Sequence, residues 1–152
     1  MNTKQLKAAL LSDCETIVTE RLQKVQQTIA GIVESLDDAS KSSAGDKHET
    51  GRAMLQIDRE NAGKQLLEIE HLQALLRRID ISQSADYVRL GSLVYTNLGA
   101  FFISISAGKI IKGKTKYICV ALKAPLGMLF LGKKKGDVIQ FNERTYTITS
   151  VA

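Results

Sequence analysis

The sequence predicts an α+β chain. A long antiparallel helical hairpin of coiled-coil type comes first, then a small β-sheet domain with one short helix. Three observations predict this. Apolar residues recur at helical steps over 3–38 and again over 49–80. The stretch Ser42-Ser43-Ala44-Gly45-Asp46-Lys47-His48-Glu49-Thr50-Gly51 between them is polar and rich in small residues, as a hairpin tip would be. Further on, short β-branched and aromatic runs alternate with glycine. The expected division is a hairpin over 1–80 with an acidic tip near 45–50, a linker over 81–87, and a sheet domain over 88–152.

The first helix carries Leu11, Cys14, Val18, Leu22, Val25, Ile29, Ile32 and Leu36 as one seam. From Leu22 the steps are three and four, which is heptad spacing. Gly31 lies in this run and is expected to let the partner helix approach closely. Asp37 and Asp38 oppose a helix end at that point, because anions are unfavourable at a C-terminus, so the helix is expected to continue past them. The second helix carries Ala62, Leu66, Ile69, Leu72, Leu76 and Ile79. Its stripe weakens to Ala53, Met54 and Ile57 toward the tip. Asp80 to Asp86 has no apolar period and reads as a linker.

Five strands are expected, near 93–96, 101–106, 116–121, 138–141 and 146–151. Pro125 suits the first turn of a short helix over 126–131, because its missing N–H is no loss there. Leu126, Met128, Leu129, Phe130 and Leu131 are expected to be mostly core. Lys133-Lys134-Lys135 reads as a turn, and Asn142-Glu143 as a hairpin turn.

Charge is unevenly spread. Residues 1–85 hold 11 Lys/Arg and 13 Asp/Glu, whereas residues 86–152 hold 10 and 3. The basic C-terminal half suits a polyanionic neighbour, DNA or RNA or an acidic protein face, and equally suits a merely soluble surface. Cys14 and Cys119 have no metal-type spacing and are expected to be buried, reduced thiols. No signal-type or bilayer-length apolar run occurs, so a cytoplasmic protein without membrane association is expected. No nucleophile sits in a recognisable hydrolase motif.

Asp46 and Glu49 are three residues apart, so on a helical turn they share a face. Two hard carboxylates suit Mg²⁺, which prefers oxygen ligands and keeps several waters. Solvated acids at a helix start are the plainer explanation of the same pair. His48 reads as an exposed polar residue, and His71 carries no assigned role.

The block Ala124-Pro125-Leu126-Gly127-Met128-Leu129-Phe130-Leu131-Gly132-Lys133-Lys134-Lys135-Gly136-Asp137-Val138 resembles the C-terminal domain of the Gre-type transcription elongation factors. That family has Pro-Leu, then Leu-Gly-Lys-Lys, then Gly-Asp-Val at this spacing. Tyr146-Thr147-Ile148 is similar to its Tyr-x-Ile strand. The tip, Gly45-Asp46-Lys47-His48-Glu49, is similar to its Gly-Asp, two residues, Glu. After Glu49 the chain departs from it, with Thr50-Gly51-Arg52-Ala53.

The resemblance implies an FKBP-like sheet domain and an accessory factor rather than an enzyme. The hairpin would enter the secondary channel of bacterial RNA polymerase. Asp46 and Glu49 would act as catalytic residues by helping hold a shared Mg²⁺, with none bound tightly by the isolated chain. The polymerase would then cleave backtracked RNA at the nascent 3′ end. Pro125 and Leu126 would help bind the polymerase, and the factor would act as a monomer. Three alternatives stay open: a channel-binding regulator without cleavage, an FKBP-type peptidyl-prolyl isomerase, and a free-standing coiled-coil dimer.

Overall fold

The structure is a computed structural model. It describes the backbone of residues 1–41 and 45–152, and side chains except those of 41–48. The expected turn at Ser42-Ser43-Ala44 and the side chains of Asp46 and His48 lie outside the described residues. The fold is α+β: two long helices, then a mixed six-stranded sheet and one short helix. By packing, the chain groups into two compact units, Val18–Gln73 and Met1–Ile17 with Ala74–Ala152. The chain-order division expected from composition places its break at 81–87 instead.

Helix α1 runs Thr3–Lys41 and α2 runs Gly45–Arg77. A reciprocal cap starts α1. The Asn2 side-chain oxygen accepts the Gln5 N–H at 2.8 Å, and the Gln5 side-chain oxygen accepts the Asn2 N–H at 3.0 Å. α1 continues through Asp37 and Asp38, as expected. α2 starts four residues earlier than the apolar pattern, at Gly45, so an acid enters its first turn and meets the positive end of the helix dipole.

In Val18–Gln73 the two helices run side by side. One groove is lined by Arg21, Lys24 and Val25 of α1 and by Glu68, Ile69 and Leu72 of α2. Another is lined by Leu36 and Ser40 with Arg52, Gln56 and Arg59. Rising numbers on one helix meet falling numbers on the other, so the pair is antiparallel. Val18, Val25 and Ile32 are buried at sevens, as are Ala62 and Ile69. That is the 3.5-residue repeat of a coiled-coil seam.

Two expectations about this seam are corrected. Met54 is 62% exposed and Ile57 is exposed too, while Leu55 is half-buried. Leu55 is seven residues before Ala62, so the heptad register continues through it and leaves its neighbours in water. Gly31 does not serve a close approach, since a Cβ there would meet nothing within 4 Å. Its helical backbone therefore carries only the entropic cost of glycine. Gly31→Ala is expected to stabilise the chain by about 1 kcal/mol, measured by urea unfolding, and a loss of stability would contradict this placement.

The sheet order is β3-β4-β2-β1-β6-β5. The strands are β1 (Leu93–Thr96), β2 (Gly99–Ser104), β3 (Gly108–Lys112), β4 (Thr115–Ala121), β5 (Val138–Phe141) and β6 (Arg144–Val151). β2 and β4 are parallel, and the other pairs are antiparallel. β3 was not expected. Lys109-Ile110-Ile111-Lys112 is short, lies between glycines, and has only Ile110 buried, which suits an edge strand. Asn142 and Glu143 have φ of 50° and 63°, as a two-residue hairpin turn requires.

β2 is buried on both faces. One face carries Val94, Phe101, Ile103, Val120 and Ile148, against Phe130 of helix α3 (Pro125–Phe130). The opposite face carries Phe102, Ser104 and Cys119, and α1 brings Cys14 to it. Cys14 Sγ lies 3.8 Å from both Ser104 Oγ and Cys119 Sγ. Both thiols are free and buried, as expected. The hydrogen bond with Cys14, together with burial, pushes the Cys119 thiol well up. No described helix is long and apolar enough to cross a membrane.

Candidate functional site

The tip acids lie at the start of α2, in the order Gly45, Asp46, Glu49. The side chain of Glu49 is exposed. The contact between the two carboxylates, which the metal reading needs, falls on Asp46 and lies outside the described residues. What the described backbone fixes is the spacing: both residues are helical and three apart.

The second expected site, Pro125 and Leu126, opens α3. Pro125 occupies the first helical position after Ala124, whose backbone is extended at φ −68° and ψ 155°. Pro125 is exposed, while Leu126 is half-buried and packs against the sheet core. The expectation that this block is mostly core is corrected. Met128 is 63% exposed and Leu131 is 49% exposed, with Leu129 exposed beside them. A six-residue helix makes fewer than two turns, so only Gly127 and Phe130, with part of Leu126, reach the sheet. The Phe130 ring packs at a tilt 5.2 Å from Phe101 and edge-on 6.1 Å from Tyr146, centroid to centroid. The remaining apolar side chains form a surface patch.

The rest of that block explains itself structurally. Gly132 and Gly136 have φ of 78° and 93°, in the left-handed region that glycine occupies without strain. The Asp137 carboxylate accepts the Lys134 N–H at 2.8 Å, closing the lysine turn. The Val88 N–H donates to the Lys133 carbonyl at 2.8 Å, and the Gly132 N–H donates to the Val88 carbonyl at 2.8 Å. The glycines and the aspartate are thus accounted for by a turn that fastens the sheet to the preceding segment. Lys133, Lys134 and Lys135 are exposed on it.

A further basic surface lies on β3 and β4. Lys109, Lys114 and Lys116 are exposed there with Ile111, while Lys112 is engaged with Asp13. The sequence reading missed this strand and its lysines. It also missed Lys7, which is buried. Lys7 stands three and seven residues before Leu10 and Cys14 on the α1 seam, and that spacing was the available signal. Burial, and then Tyr117, push the Tyr95 hydroxyl up to about 12. Its ring packs edge-on against Tyr117 at 6.4 Å, which is interior packing rather than acid–base chemistry.

No family model matches the chain, and no curated protein matches it in sequence. Among solved structures, the chain is similar to the one described as the structure of the transcription factor Gfh1. The alignment covers 88% of this chain and 90% of that one, at 16% identity and a TM-score of 0.35. A similarity of that degree fixes neither a family nor a function.

Proposed function

We propose that the chain is an accessory transcription factor of the Gre type, acting on bacterial RNA polymerase. The α1–α2 pair enters the secondary channel, and Asp46 and Glu49 take part in cleavage of backtracked RNA. The observation that carries this reading is the placement of the acid pair. Both acids open α2, at the end of a two-helix arm whose antiparallel seam follows heptad spacing. The 33 residues of α2 extend about 50 Å at 1.5 Å per residue. A helix of that length suits delivery of charge into a narrow passage.

The donor set fits Mg²⁺ in kind. Asp46 and Glu49 offer hard oxygens, and an octahedral ion leaves most positions for water, RNA phosphate and polymerase carboxylates. When bound, the ion would supply charge stabilisation for displacement at phosphorus. The chain's own part is to bring two negative charges to one place and to hold them on one helical turn. The sheet unit, with its patch of Met128, Leu129 and Leu131 beside Pro125, is the proposed docking element.

A second reading, a channel-binding regulator without cleavage, is favoured by one observation. Thr50-Gly51-Arg52-Ala53 follows Glu49, so the chain departs from the resembled family immediately after the acid pair and carries a cation there. The prolyl isomerase reading gains no such support. Phe101, Phe130 and Tyr146 are spent on one another, with centroids 5.2 to 6.1 Å apart.

The shared premise of the two polymerase readings is tested by binding. Immobilised core polymerase is expected to retain the chain. Met128→Glu/Leu131→Glu is expected to weaken retention about tenfold or more, as loss of apolar anchors at an interface does. Retention of neither form by core polymerase would end both readings.

A further inference from the structure

The geometry points to a small-anion site at the start of α1, one that accepts the phosphate group of a free, small phosphate compound. It is independent of the polymerase reading. A cavity of about 290 Å³ opens there, lined by Thr3, Lys4 and Lys7 of α1, by Ser82 and Ser84 among the residues of the 81–85 segment, and by Val151 and Ala152.

Lys7 carries the inference. Its residue is only 3% exposed. Among the described residues, no hydrogen bond or ion pair reaches its ammonium group. The ammonium is not sealed either, since none of the fully buried side-chain nitrogens or oxygens described lacks a partner. It therefore keeps some access to solvent, and Lys7 is among the residues that line the cavity. A buried cation without an anion is costly, and the usual remedy is a partner charge. Here the nearby charge makes matters worse. Burial first, and then the Arg89 guanidinium, hold the Lys7 ammonium below the ordinary lysine range.

The second observation is the helix start. The first amides of a helix have no partner within it. Asn2 satisfies Gln5 with its side chain and Leu6 with its carbonyl, at 2.8 and 2.9 Å. The amides of Thr3 and Lys4 are left without a partner among the described residues, at the positive end of the α1 dipole. Lys4 adds an exposed cation and Ser84 a hydroxyl. Two acids flank this segment: Asp86 is exposed and does not line the cavity, and Asp80 is occupied. It accepts both the Ser82 amide, at 2.9 Å, and the Ser82 hydroxyl. Two ammonium groups and two open amides match a tetrahedral oxyanion, and the cavity is small enough to favour one phosphate group over a polymer backbone.

The test is an amide chemical-shift titration of the full chain with sodium phosphate, against sodium chloride at equal ionic strength. Saturable shifts of Thr3, Lys4 and Ser84 are expected with phosphate and only small linear ones with chloride. Lys7→Met is expected to weaken the phosphate response about tenfold or more, the size of a charge-assisted hydrogen bond. Lys4→Gln is expected to weaken it less, and serves if the Lys7 variant does not fold. Adenosine monophosphate distinguishes the source: tighter binding than phosphate identifies a phosphomonoester, and weaker binding identifies the free ion. Linear shifts with phosphate in the wild type, or an unchanged midpoint in folded Lys7→Met, would overturn the proposal.

Discussion

Asp46→Asn/Glu49→Gln is expected to abolish stimulated cleavage of a stalled, backtracked transcript while leaving polymerase binding intact. The substitutions keep the size of both side chains and remove both charges. Where preorganised charge meets a reacting phosphate, loss of one such group costs about a hundredfold in rate or more. The two together are expected to bring cleavage to the level of polymerase alone. Each single variant is expected to retain part of the activity and to gain from raised Mg²⁺, since the remaining carboxylate still contributes to the ion. Stability is expected to change little. Acids in a helix's first turn contribute only about 0.3–1 kcal/mol each. The readout is RNA length on a gel at fixed time. Full cleavage by the double variant would remove these residues from the chemistry. A wild type that binds and slows elongation but never cleaves would establish the regulatory reading.

Gly127→Ala is expected to be among the most destabilising single changes in the sheet unit. A Cβ at Gly127 would run into the Ala121 carbonyl oxygen and lie 3.0 Å from that of Leu122. Both are backbone atoms at the end of β4, so neither can swing aside as a side chain would. α3 would have to lift away, and Phe130, fully buried in the same helix, would lift with it. The cost is about 3 kcal/mol, at the upper end for overpacking. At roughly 4–8 °C per kcal/mol for a domain of this size, melting should fall by well over ten degrees. Met128→Ala, one residue along and exposed, is the control and should change melting by only a few degrees. A melting temperature for Gly127→Ala equal to that control would contradict the close packing of α3 on β4.

The long helices were the most legible part of the chain. Their burial follows a 3.5-residue repeat, and Val18, Val25 and Ile32 or Ala62 and Ile69 state that repeat directly. Legibility failed where the pattern was thin. Near the tip one half-buried leucine, Leu55, keeps the register among exposed apolar neighbours, and reading the stripe through Ala53, Met54 and Ile57 passed it over. β3 was missed because an edge strand with one buried residue leaves almost no alternation to read. The α3 block misled in a different way. Five apolar residues in six look like core, but a helix this short turns only one side to the sheet, and Met128, Leu129 and Leu131 are left over.

The contact between Cys14 and Cys119 was beyond reach for another reason. The two stand 105 residues apart, and nothing local to either announces the other. The candidate site divides similarly. The order Asp46, Glu49 was legible from the sequence, but the apolar pattern begins near 49 and did not show that α2 starts at Gly45 and takes in both acids. The geometry of the carboxylates was not legible either, because it depends on a partner as well as on the turn. The block that carries the family resemblance turns out to hold much fold chemistry, with Gly132, Gly136, Asp137 and Gly127 each fixed by backbone geometry. It speaks for the architecture more than for the activity.

Site-directed photo-cross-linking from the tip is the most direct test of the central claim. A photoreactive residue replaces Glu49, and the labelled chain is added to a stalled, backtracked elongation complex with a radiolabelled transcript. The account predicts cross-links to the catalytic subunit near its active centre and to the RNA 3′ end, both removed by an excess of unlabelled wild-type chain. Cross-links confined to the polymerase surface, or their absence from a complex that retains the chain, would contradict entry of the tip into the channel.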